Sequence, residues 1–230
     1  MVPGSMWGMT VHDLVSALPE PADLLARCRA LALLDSVVAD RWAMYTFQAE
    51  WRDGVGLAWM ENGSGDSYGI VFDPAGVFLF GIDHECPATP WREEPRAHWP
   101  GLLDGLPAAL ARYPTLPELQ LEGFFDATIC VWRETGAAAW QCGPVAFGAD
   151  ESDGADWLFE LLTADGPEAY AEYAEDMYKR RLAPEDVGAV LAGEPLTRRL
   201  VAALSDTADF EAVAVQARAL GHPVQDVPMS

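Results

Sequence analysis

Two short segments hold the residues whose types and spacing suit chemistry: Asn62-Gly63-Ser64-Gly65-Asp66 and Asp83-His84-Glu85. Brought together, they would surround His84 with Asp66, Asp83 and Glu85, beside a glycine-containing turn that offers Asn62 and Ser64. A histidine among carboxylates has its charged form favoured and can act as general acid, general base or metal ligand. The same residues read equally as an Asp66–His84 ion pair that closes a hairpin. Asn62, Ser64, Asp66, Asp83, His84 and Glu85 are therefore candidates for binding a ligand or partner, and no catalytic residue is assigned.

Metal and cofactor chemistry finds less support. The NGSGD segment lacks the dense oxygen pattern of a hard-cation loop. A softer ion could recruit His84, Cys86 and His98, but their spacing matches no structural zinc pattern. Gly63-Ser64-Gly65 lacks the lysine of a phosphate-binding loop and is not the G-x-S-x-G elbow of a hydrolase. The expectation is no metal and no cofactor.

A hairpin must position these residues. Segments 42–51, 55–61, 67–73 and 77–83 are rich in aromatic and β-branched residues with turn residues between them, the pattern of antiparallel strands. Asp73-Pro74-Ala75-Gly76 reads as a three-residue loop with Gly76 as bulge residue, pairing Asp73 with Val77. That register sets Phe72 opposite Phe78, Ile70 opposite Phe80 and Asp66 opposite His84. A second hairpin is expected from 127–134 and 138–142 around Thr135-Gly136, which would set Cys130 opposite Cys142. A cross-strand disulfide is conceivable there, although two buried thiols are the simpler reading.

Helical signals flank the strands. Thr10 with Asp13 suits a helix start, and Pro21 opens a helix to about Asp35. A short helix is expected near Pro107–Arg112, after the proline-rich loop 86–100. From Ser152 the pattern is helical, with an apolar stripe of Tyr170, Tyr173, Met177 and Tyr178, and starts at Pro184, Pro195 and Asp209. The fold class expected is α+β: an antiparallel sheet of about five to six strands flanked by helices, with a helical C-terminal third. A sheet domain over 1–148 and a helical region over 149–230 are expected, the latter either separate or packed into the same domain.

The 230 residues carry 14 Lys+Arg against 36 Asp+Glu, a net charge of −22. This sign opposes a role in neutralising phosphates, so nucleic acid is not an expected partner. No apolar run approaches a membrane span. The four cysteines form no framework, which favours a reducing cytoplasm, and Met1–Ser5 has no features of a signal peptide. The aromatic-rich composition fits a packed core beneath an acidic surface, rather than a disordered acidic chain. Trp42, Trp51, Trp59, Trp91, Trp99, Trp132 and Trp140 would be core where they lie in strands, or interface anchors elsewhere.

The stretch 61–85, ENGSGDSYGIVFDPAGVFLFGIDHE, resembles the central sheet motif of the SUKH-type (Smi/Knr-like) bacterial immunity superfamily. Gly65-Asp66 and His84 take the places of its Gly-Asp step and terminal histidine. The chain equally resembles an uncharacterised bacterial α+β family with a similar central hairpin. The first resemblance implies a non-catalytic, acidic protein-interaction module that neutralises a basic, toxin-like protein. The alternative is an enzyme or small-ligand-binding protein that uses Asp66, Asp83, His84 and Glu85.

Overall fold

The alternation of strand-forming residues and turns over 42–83 produces four consecutive strands in the computed structural model, which describes residues 9–39, 42–148 and 152–225. They are β1 (Tyr45–Arg52), β2 (Val55–Glu61), β3 (Ser67–Asp73) and β4 (Gly76–Ile82). With β5 (Ile129–Glu134) and β6 (Gln141–Cys142) they form a six-stranded antiparallel sheet in the order β1-β2-β3-β4-β5-β6. The helices are α1 (Val11–Ala17), α2 (Pro21–Val38), α3 (Ala155–Leu158), α4 (Glu160–Thr163), α5 (Glu168–Tyr178), α6 (Pro184–Leu191), α7 (Arg198–Leu204) and α8 (Phe210–Ala219). The fold is α+β, with a helical C-terminal part. No helix among the described residues is long and apolar enough to cross a membrane. Met1–Ser5 and the expected boundary residue 149 lie outside the described residues.

The chain divides into two compact units. One comprises Met1–Leu18, Asp53–Val55 and Met60–Phe159, and the other Pro19–Arg52, Gly56–Trp59 and Glu160–Ser230.

In the first unit β3 and β4 pair with Asp73 opposite Gly76, so the expected register is wrong by one residue. Phe72 faces Val77, and Val71 faces Phe78. Two local facts select the shorter loop. Asp73 Oδ1 accepts the Ala75 N–H at 2.7 Å, folding the side chain into the turn. Gly76, at φ +153°, is the first residue of β4 and pairs with Glu134. A Cβ there would lie 2.5 Å from the Arg133 carbonyl oxygen, so only glycine allows β5 this close. Asp73 Oδ2 receives the Tyr113 hydroxyl and the Arg112 guanidinium, which ties segment 107–119 to the hairpin. That segment forms turns and short 3₁₀ stretches at Tyr113–Thr115 and Pro117–Leu119, not the expected helix at Pro107–Arg112.

The corrected register gives two apolar faces. On one, Phe78 lies across from Trp132, and Phe80 from Cys130, with Phe125 packed on both phenylalanines at 6.2 and 5.0 Å. On the other, Ile70, Leu79 and Val131 are fully buried, and Phe159 rests 5.2 Å from Tyr68. Cys142 faces Val131 rather than Cys130, so the residue-to-residue alignment expected for a disulfide is not formed. All four cysteines are unpaired thiols. Trp132 and Trp140 are core, whereas Trp42 and Trp91 are exposed.

The second unit is organised by α2, whose buried stripe includes Leu24, Cys28, Leu31, Leu34 and Val38. The helix runs three residues past its expected end and carries Asp35 with it. Asp35 is fully buried, and its carboxylate receives the hydroxyls of Tyr170 at 2.7 Å and Tyr178 at 2.6 Å and the N–H groups of Met44 and Tyr45 at 2.9 Å each. The tyrosine stripe of α5 is therefore both core and hydrogen-bonding shell. Helix α7 starts at Arg198 with Thr197 as N-cap, three residues beyond the expected Pro195, while Asp209 caps α8 as expected.

Candidate functional site

The chain enters β3 through the turn at Asn62–Gly65 and leaves β4 after Ile82. Asn62 Oδ1 accepts the Ser64 N–H at 2.8 Å, and its amide donates to Asp66 Oδ2 at 2.7 Å. Asp66 is thereby fixed in a nearly buried position, 7% exposed. Extending the observed register sets Asp66 in line with Asp83, not His84. The contact with His84 forms nonetheless, because the chain turns directly after β4. Asp66 Oδ1 accepts both the His84 N–H at 3.0 Å and the His84 ring Nδ1–H at 2.7 Å. An ionised carboxylate can only accept, which assigns the proton to Nδ1 and leaves Nε2 as the open ring nitrogen. Gly65, at φ +112°, lies against the imidazole: a Cβ there would be 3.1 Å from the ring.

Asp83 performs a different task. Its Oδ1 accepts the N–H groups of Glu85 and Cys86 at 3.0 and 3.1 Å, and its Oδ2 takes the Trp157 indole N–H at 3.0 Å. Its own N–H donates to Thr128 Oγ1 at 3.3 Å, and the Thr128 hydroxyl donates to the Asp153 carbonyl at 2.8 Å. Asp153 is wholly buried and accepts the N–H groups of Val11 and Ala155, at the first positions of α1 and α3. Thr128 and Asp153 are the parts that sequence reasoning missed. Asp153 could have been suspected from Ser152-Asp153-Gly154 preceding a helix, which is an N-terminal signature.

Of the six candidate residues, the fold joins Asn62, Asp66 and His84 in one hydrogen-bonded cluster, with Asp83 adjacent. Among the described residues Asp66, Asp83 and His84 form the one group whose ligand-type atoms lie within 4.8 Å of one another. Ser64 and Glu85 are exposed and contribute backbone N–H groups. His98 turns elsewhere, its Nε2 on the Phe125 carbonyl, and Cys86 is buried.

The electrostatics follow from the contacts. Burial alone would raise Asp66, but hydrogen bonds from His84 and Asn62 outweigh it and hold the carboxyl below the ordinary range. The hydrogen bond to Asp66 raises His84 above its ordinary value, and the Glu85 and Asp83 charges add to that effect. Both oxygens of Asp66 and both of Asp83 already hold donors from their own chain. Asp66 Oδ2 and Asp83 Oδ2 each accept a single donor, so each keeps a lone pair beside the bond it makes.

Comparison with protein-family models, with curated proteins and with solved structures finds no match to this chain.

Proposed function

We propose that the protein is a non-catalytic, acidic protein-interaction module whose partner is a basic, toxin-like protein that it neutralises. The observation that carries this reading is the hydrogen bonding of Asp66 and Asp83, whose four carboxylate oxygens each accept a bond that holds the hairpin end. A cluster so engaged stabilises the shape of the hairpin end. The net charge of −22 supports the sign of the partner, because a strongly acidic surface speeds encounter with a basic one. The SUKH-type resemblance of residues 61–85 supports the toxin-neutralising role, and the setting proposed is the bacterial cytoplasm. The test is co-expression with each product of a neighbouring gene that is toxic by itself. Restored growth with direct complex formation supports the proposal, and growth arrest with all of them overturns it.

One observation favours the second reading, an enzyme or small-ligand binder. The His84 side chain is 37% exposed and its Nε2 is open, while Asp66 orients the ring as a carboxylate orients a general base. That reading requires His84→Gln to abolish an activity or ligand response, whereas an interaction module tolerates the change.

A further inference from the structure

Among the described residues Arg29 is a cation without an anion. The chain has 36 acidic residues against 14 basic ones, yet among the described residues Arg29 has neither a hydrogen bond nor an ion pair. Its neighbour Arg27, two positions earlier on α2, bonds the carbonyls of Leu162 and Ala164 at 3.1 and 2.6 Å. The Arg29 guanidinium instead rests 5.2 Å over the Phe47 ring, with its Nε buried and unpartnered. Leaving a buried donor of a charged group unmet is costly, so a site that does so needs an explanation.

Arg29 lines a cleft of about 170 Å³ in the second unit, between α2 and the C-terminal ends of α6 and α8. Ala26, Ala30, Val190, Leu220 and Pro223 give it apolar walls. Gly221, at φ +76°, borders the guanidinium: a Cβ there would lie 3.5 Å from Arg29 Nη1. Burial lowers His222 below its ordinary value, against the pull of its bond to the Glu194 carbonyl, and that bond turns the ring nitrogen to the carbonyl. Arg29 is therefore the cation of this cleft.

We propose that the cleft binds a small aliphatic monocarboxylate, its carboxylate on the Arg29 fork and its hydrocarbon body against the apolar walls. The planar guanidinium matches a carboxylate with two parallel hydrogen bonds. The helix ends that face the cleft are C-terminal, and their negative poles oppose a dianion more than a monoanion, so the single Arg29 charge favours a carboxylate over phosphate. A cleft of this volume suits a small branched acid rather than a long chain. This proposal does not rest on the protein-interaction reading above.

The test uses the full chain and follows the Arg29 Nε–Hε signal in ¹H–¹⁵N spectra, assigned with Arg29→Met. Isovalerate should shift that signal saturably, and inorganic phosphate should do so at least about tenfold more weakly. N-acetylvaline, which mimics a peptide C-terminus, should also bind more weakly. Ala26→Leu, at an exposed position lining the cleft, should abolish the isovalerate response without changing the melting temperature, and keeps the test open if Arg29→Met does not fold. An Arg29 signal unmoved by isovalerate, or moved equally by isovalerate and phosphate, overturns the proposal. Tighter binding of N-acetylvaline overturns the assignment to a free acid.

Discussion

Asp35 Oδ1 accepts the Tyr170 hydroxyl at 2.7 Å, across 135 positions of sequence, at the centre of the second unit. Burial raises the Asp35 pKa, while hydrogen bonds from Tyr178, the Tyr45 N–H, Tyr170 and the Met44 N–H pull against it. The folded state thus holds this proton more firmly than the unfolded chain does. The associated stability is fully present below the ordinary value of 3.8 and is lost as pH rises through the raised value. Tyr170→Phe removes one donor from the carboxylate and should cost about 1–3 kcal/mol at neutral pH. The loss should shrink at acid pH, where a protonated Asp35 needs the donor less. Urea unfolding of the variant at both pH values measures the difference.

At the hairpin end the signs are opposite for the two partners. Asp66, lowered, contributes stability above its ordinary value of 3.8 that is lost as pH falls through its folded value. His84, raised, contributes stability below 6.5 that is lost as pH rises through its folded value. The pair therefore acts in the window between those limits. An NMR titration should place the His84 midpoint above 6.5, and Asp66→Asn should bring it down. With His84 more than a third exposed, solvent screening limits the loss in His84→Ala to about 1 kcal/mol or less.

Glycine substitutions separate steric from conformational demands. Gly136→Ala meets open space at φ +86° and should cost only the backbone penalty of about 1–2 kcal/mol. Gly76→Ala adds a collision with the Arg133 carbonyl to its φ of +153° and should be clearly the more damaging of the two. Chemical denaturation of both variants tests the order, and equal losses would contradict the close β4–β5 approach.

The cysteines should differ sharply in reactivity. Burial pushes the Cys28 and Cys86 thiols up to about 12 and Cys130 well above its ordinary value, whereas Cys142 is only half-buried. A thiol reagent at mildly alkaline pH should label Cys142 first and the buried Cys28, Cys86 and Cys130 far more slowly, with all four reacting after unfolding. Rapid labelling of Cys28 would contradict the packing of α2.

Local signals were readable where neighbours in sequence decide the outcome. Asp13 accepts the Thr10 N–H at 3.0 Å, and Asp209 caps α8, as their spacing suggests. The strands of 45–82 follow from their composition and turns. The hairpin register was not readable, because Asp-Pro-Ala-Gly accommodates two loop lengths and the choice depends on β5, more than fifty residues away. Asp66 and His84 were paired from the wrong register, and they meet because the chain turns after Ile82. Asp35 had one local sign, a lone carboxylate within the apolar run Ala30–Val38. Its tyrosine partners, far along the chain, left no local trace.

The two units exchange the chain at Leu18–Pro19, Arg52–Asp53, Val55–Gly56, Trp59–Met60 and Phe159–Glu160. A single strand, β2, contributes its middle to one unit and its ends to the other. No single cleavage separates the two units, because each fragment that keeps every segment of one also keeps pieces of the other. A gene rearrangement that splices at any one of these five sites would therefore divide at least one unit.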